Sequence, residues 1–208
     1  MQADPIFFAI FIVILIFSVI AHEISHGYVA HMLGDPTAKL AGRLTLDPRK
    51  HLDPLGSFIV PALMYFGTGM MFGWAKPVPY NPYNLRNQRW GTALVGAAGA
   101  GANLLIALVL GTLIRFGGAL EIPGSFLQFM GIIVALNLLL AVFNLIPIPP
   151  LDGSKVLFAF LPLRFDHIRE FLERYALFFL LLVIFFGVDF IHPIIGFLYT
   201  LITGSPYF

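Results

Sequence analysis

From Pro5 to Leu33 the chain runs through apolar residues almost without a break. The one formally charged side chain in that stretch, Glu23, stands between two histidines: His22-Glu23-Ile24-Ser25-His26. A segment of that length makes a helix of about 43 Å at 1.5 Å per residue, more than the roughly 30 Å of a bilayer core. In lipid the backbone polar groups must be satisfied within the segment, so a helix is the form available to it. Residues four apart share a helix face, so His22 and His26 aim two imidazoles at one point, with Glu23 beside it. Asp4 is the only charge ahead of the run, and no cleavage motif interrupts it, so a retained helix is expected rather than a signal peptide.

The rest of the chain has the same character. Of its 208 residues 59% are hydrophobic and 11% charged, against about half and about a quarter in soluble domains. We expect an all-α polytopic membrane protein, one membrane-embedded domain over residues 1–208. It would have about 4–6 membrane-inserted segments, including a re-entrant hairpin, and short β-strands at the cytoplasmic face. Further spans are expected over 91–114 and 126–146. A last apolar run over 175–202 reads as a span to about Val188 followed by a kinked or interfacial tail. Residues 55–73 are apolar but short and broken by Gly56, Pro61, Gly67 and Gly69; with basic residues on both flanks they fit a re-entrant hairpin. Ala38–Leu46 and Trp74–Tyr80 alternate as brief strands would, and an exposed edge there would pair with an extended substrate; plain interfacial loops are the competing reading. Lys39, Arg43, Arg49 and Lys50, then Lys76, Arg86 and Arg89, mark those segments as cytoplasmic and put the amino terminus outside. A net charge of +1 argues against a nucleic-acid surface, and the absence of cysteine excludes disulfides and thiolate metal ligands.

Two histidines need a third protein ligand if they are to hold a catalytic metal with one position open. The chain is poor in candidates. Its glutamates are Glu23, Glu121, Glu170 and Glu173, and Met32 stands where a third histidine ten residues on from His22 would be. His31 falls on the opposite face of the first helix. His51, His167 and His192 lie in expected surface or tail segments, and Asp35, Asp47 and Asp53 suit capping roles in the basic loop. Asp152 remains. It follows Pro147, Pro149 and Pro150, which end the third span and leave it on irregular backbone at membrane depth, where an ionisable group needs a partner. The competing reading is a helix cap in a Pro-Gly turn. Asn103, Asn137 and Asn144 are polar positions within spans; hydrogen bonds across helices account for Asn137, while Asn103 and Asn144 also suit functional roles.

These residues, with GRLTLDPRKHLDPLGS, GWAKPVPYNPYN, AGAGANLL and FNLIPIPPLDG, make the chain resemble the site-2 protease family of intramembrane zinc metalloproteases, in its compact form. The resemblance implies one Zn²⁺ held by His22, His26 and Asp152, Glu23 as the catalytic general base, and Asn144 supporting the site or holding substrate. It also places Asn103 at the asparagine of a Gly-Pro-x-x-Asn motif that here reads Gly99-Ala100-Gly101-Ala102-Asn103. The implied substrates are transmembrane proteins or peptides, cut within or near their transmembrane segments. A zinc-binding membrane transporter or sensor without proteolytic activity is the alternative.

Overall fold

The computed structural model describes residues 5–68 and 73–207. Three of its helices are long and apolar enough to cross a membrane: α1 (Pro5–Met32), α4 (Gln88–Arg115) and α5 (Gly124–Asn144). Between them lie α2 (Thr37–Leu40) and α3 (Val60–Thr68), and after them α6 (Gly153–Phe160), α7 (Asp166–Arg174), α8 (Ala176–Phe186) and α9 (Val188–Thr203).

Helix α4 is the hub, packed against α1, α5, α6 and α9. Its buried positions are Gly91, Ala93, Val95, Gly96, Gly99, Ala100, Asn103, Ala107 and Gly111, nearly all small. Lipid tails are as apolar as leucine, so helices in a membrane gain by close backbone approach rather than by burying bulk, and a face of glycine and alanine permits it. Ala107 joins Val134 and Leu138 of α5 with Ile191, Ile195 and Tyr199 of α9 in the main apolar cluster. Large side chains face outward instead: Phe66 is 86% exposed and Phe190 77%, the inverse of a soluble protein and suited to lipid.

The final run is kinked close to Val188, as expected, but its two limbs differ from the expected span and tail. It breaks at Gly187, a weak helix former, while Pro193 is carried inside α9, and α8 and α9 meet at a 65° bend. At 11 residues α8 is too short to span alone, and α9 is packed into the bundle rather than lying at an interface.

The expected hairpin is present as an apolar helical limb, a π-turn over Leu55–Ile59 continuing into α3. The chain is back beside its start by Trp74, whose N–H donates to Gly56 O at 3.0 Å. The tip expected for the hairpin, residues 69–72, lies outside the described residues, as do the first four.

The expected β-strands are not there: no strand occurs among the described residues. Thr37–Leu40 is helical, and Trp74–Tyr80 forms no regular element. The reason is donor supply. Pro77 and Pro79 carry no N–H, and the Val78 N–H between them goes to the side chain of Glu23 at 2.7 Å. That stretch has no row of donors to offer a substrate strand. His51, expected at the surface, is buried: the loop folds against this segment, with Lys76 N–H donating to His51 O, and the His51 ring donates from Nε2 to Thr45 O.

Candidate metal centre

Helix α1 places His22 and His26 on its buried face with ring centroids 4.7 Å apart, and Glu23 half-buried beside them. After α5 the chain folds back through turns from Leu145 to Asp152, so that Asp152, 130 residues beyond His22, meets the same point. Asp152 Oδ2 lies 3.0 Å from His22 Nε2 and 3.0 Å from His26 Nε2. The competing reading of Asp152 as a helix cap fails on geometry. It occupies the N-cap position of α6, yet its side chain accepts no capping hydrogen bond.

What those three atoms can hold follows from the hydrogen bonds behind them. Asn137 Nδ2 donates to the backbone carbonyl of Ile133 and to Ser18 Oγ, which leaves Asn137 Oδ1 as an acceptor. Asn103 Nδ2 donates to that oxygen at 2.8 Å and to Ser18 O at 3.2 Å. Asn103 Oδ1 must therefore face His22, and it lies 2.7 Å from Nδ1. A backbone carbonyl does the same for the second ring, because His26 Nδ1 sits against Val95 O. Both Nδ1 atoms are donors, so in the neutral rings both Nε2 atoms carry lone pairs. Two lone pairs and a carboxylate oxygen about one point repel one another unless something positive lies between them.

The donor set suits a metal dication. Bonds of about 2.0–2.1 Å in a tetrahedron put ligand atoms about 3.3 Å apart, a few tenths of an ångström wider than the spacing here. Histidine ligands held from behind by an oxygen acceptor are the usual supporting arrangement of such a site. Candidate ligand atoms of His22, Glu23 and His26 also lie within 4.8 Å of one another.

Space for the rings comes from α4. A Cβ on Gly99 would stand 2.5 Å from His22 Nε2, so the imidazole lies flat on helix backbone where any other residue would displace it. Of the remaining sequence candidates, Asn103 is fully buried behind His22. The side chain of Asn144 turns onto its own helix, donating to Leu140 O at 2.9 Å. Asn137 does bond across helices, as expected, but its partner is the very residue that orients His22. The Val95 carbonyl, Ser18 and Lys155, whose Nζ donates to Asp152 Oδ1 at 2.8 Å, were not singled out from sequence. A spacing of i, i+3 from Asp152 was the available signal for Lys155; a backbone carbonyl leaves none.

Comparisons with known proteins bear on the family of the chain. Residues 113–187 match the model of peptidase family M50, a stretch that contains Asp152. A Bacillus subtilis strain 168 protein, provisionally named zinc metalloprotease YwhC, is 41% identical over 153 residues, covering 70% of this chain and 66% of that protein. A Mycobacterium tuberculosis strain H37Rv protein, provisionally named zinc metalloprotease Rip2, is 30% identical over 168 residues, 80% of this chain and 62% of its own length. A zinc metalloprotease of Methanocaldococcus jannaschii is 28% identical over 167 residues, 80% of this chain and 39% of its own length. The chain therefore spans less than two thirds of the length of each of these relatives. No solved structure matches it significantly.

Proposed function

The chain belongs to peptidase family M50, the site-2 protease family, and on that premise we propose that it is a zinc metalloendopeptidase cutting peptide bonds within or near membrane-spanning segments of other membrane proteins. The observation that carries this reading is the meeting of His22 Nε2, His26 Nε2 and Asp152 Oδ2 beside Glu23, inside a bundle whose outer surface is built for lipid. One Zn²⁺ per chain would be held by those three atoms. When bound, zinc supplies an acidified water at neutral pH and polarisation of the scissile carbonyl.

The chain's own groups do the rest. Val78 N–H fixes Glu23 Oε2, and the other oxygen, Oε1, is assigned the proton of the attacking water, which it passes to the leaving amine nitrogen. Asn103, by holding His22 Nδ1, keeps the ring in the tautomer that leaves Nε2 free for the metal. The segment around Val78 thus serves as a brace for the general base. We also assign the loops carrying Lys39, Arg43, Arg49 and Lys50 to the cytoplasm, which puts the site nearer that side and gives water its route in.

Replacing Glu23 tests the reading. Glu23→Gln is expected to retain about one zinc per chain while cleavage of a model transmembrane substrate falls by about 10²–10⁴-fold, the range for loss of a general acid–base group. Cleavage at the wild-type rate would remove Glu23 from the chemistry, whereas a wild type that binds zinc and cuts nothing would favour a transport or sensing site.

A further inference from the structure

The carboxylate of Asp152 is divided between two partners. Oδ2 faces both imidazoles, while Oδ1 accepts from Lys155 Nζ at 2.8 Å. Lys155 stands one turn further along α6 on the same face, and its N–H donates to Asp152 O at 3.0 Å, so the two residues are locked by backbone and side chain together. The stem of the lysine is fixed as well. It crosses α4 at Gly96, where an added Cβ would meet Lys155 Cβ at 2.8 Å and Cδ at 3.1 Å. The ammonium lies 5.5 Å from the centre of the Tyr80 ring, on the same segment that braces Glu23, and the side chain is 31% exposed. A lysine needing only solvent would not be threaded through a glycine notch to reach a buried carboxylate.

We propose that Lys155 is a positioning residue: by occupying Oδ1 it restricts Asp152 to offering a single oxygen to the cation, so that the position needed by water stays open. A carboxylate with both oxygens free can turn both toward a metal, and a catalytic zinc site depends on an open place in its coordination shell. In most metal sites the group behind a ligand is an acceptor that orients a histidine; here a cation does the equivalent service for the aspartate. The inference rests on the zinc reading above and adds to it the control of coordination number.

Cobalt substitution tests it without relying on turnover. Four-coordinate Co²⁺ absorbs visible light much more strongly than five- or six-coordinate Co²⁺. Full-length protein in detergent, loaded with one Co²⁺, is compared as wild type, Lys155→Gln, Lys155→Met and Lys155→Arg. We expect Gln and Met to bind Co²⁺ with a weakened visible band, and Arg, which retains a cationic donor, to restore it. With zinc in place, Gln and Met are expected to lower kcat by about 10–100-fold, the usual range when a partner behind a metal ligand is lost, with KM unchanged. An unaltered band in both Gln and Met overturns the proposal, as does a change confined to KM. A wild type that takes up no Co²⁺, with Asp152→Asn indistinguishable from it, overturns the metal reading instead. Should one variant fail to fold, the other and Arg still decide the matter.

Discussion

Asp35 and Asp152 are both buried carboxylates, and their surroundings differ in kind. Asp35, in the turn after α1, is met by donors with nothing else to do. Thr37 N–H, Thr37 Oγ1 and Asn84 Nδ2 share Oδ1, and Asn81 N–H takes Oδ2 at 2.6 Å. It knits the end of α1 to the loop that leads into α4. Asp53 behaves likewise, accepting the N–H two residues on, and so does Asp47, which also pairs with the Arg49 guanidinium at the surface. Among the described residues Asp152 has no backbone donor to its carboxylate; it has two imidazole nitrogens and an ammonium. A carboxylate saturated by neutral N–H and O–H groups is finished as a structural joint. One turned toward two lone-pair donors is a place for a cation.

The contrast can be broken most directly by exchanging charge for amide at each position. Asp152→Asn is expected to lose most of its zinc to a chelator wash and to cleave at least about 100-fold more slowly, since a metal contributes several kcal/mol to the transition state. Asp35→Asn should retain one zinc per chain by metal analysis. Full zinc content in Asp152→Asn would make the two aspartates alike and end the distinction.

A smaller effect sharpens the same contrast one step further back. Asn103→Ala removes the acceptor behind His22 and should weaken zinc by about 10–100-fold in a competition titration. Asn144→Ala, whose side chain is engaged with its own helix, should leave zinc affinity unchanged. The reverse result would mean that the support of the site runs through α5 rather than α4.

Asp35→Ala is expected to cost about 1–3 kcal/mol of stability by stranding the donors around it, read as a lowered Tm with zinc content intact. The acid limb gives the smallest signal. Burial pushes the Asp35 carboxyl up, but the hydrogen bonds from Thr37, Asn84 and Asn81 outweigh it and hold its pKa below the usual value. A lowered folded-state pKa means that its stabilisation is complete above the unfolded value of about 4 and is lost as pH falls through the folded one. Asp35→Asn should therefore flatten the loss of stability below about pH 4.

Much of the fold and of the site was legible before any coordinates. The apolar runs became α1, α4 and α5, and the helical spacing of His22 and His26 put both on one face. The scarcity of carboxylates pointed to Asp152 by elimination, and it does meet the two rings. The errors came from local donor supply and from neighbours distant in sequence. Alternation in Trp74–Tyr80 suggested a strand, but strand pairing needs donors, and two prolines and the demand of Glu23 removed them. Asn137 read as a cross-helix hydrogen bond, which it is; that the bond passes through Asn103 to His22 depends on three helices meeting at Ser18.

By itself the sequence determined that the chain must be helical and lipid-facing, because lipid leaves unpaired backbone no alternative. It also determined that two imidazoles and a carboxylate share one stretch of one helix, because helical period is a local property. Tertiary structure decided which carboxylate joins them, which tautomer each ring adopts and where Lys155 reaches. Those outcomes depend on how closely helices approach α4, and that distance is set by the absence of side chains at Gly96 and Gly99, which shows only when something else is found lying in the gap.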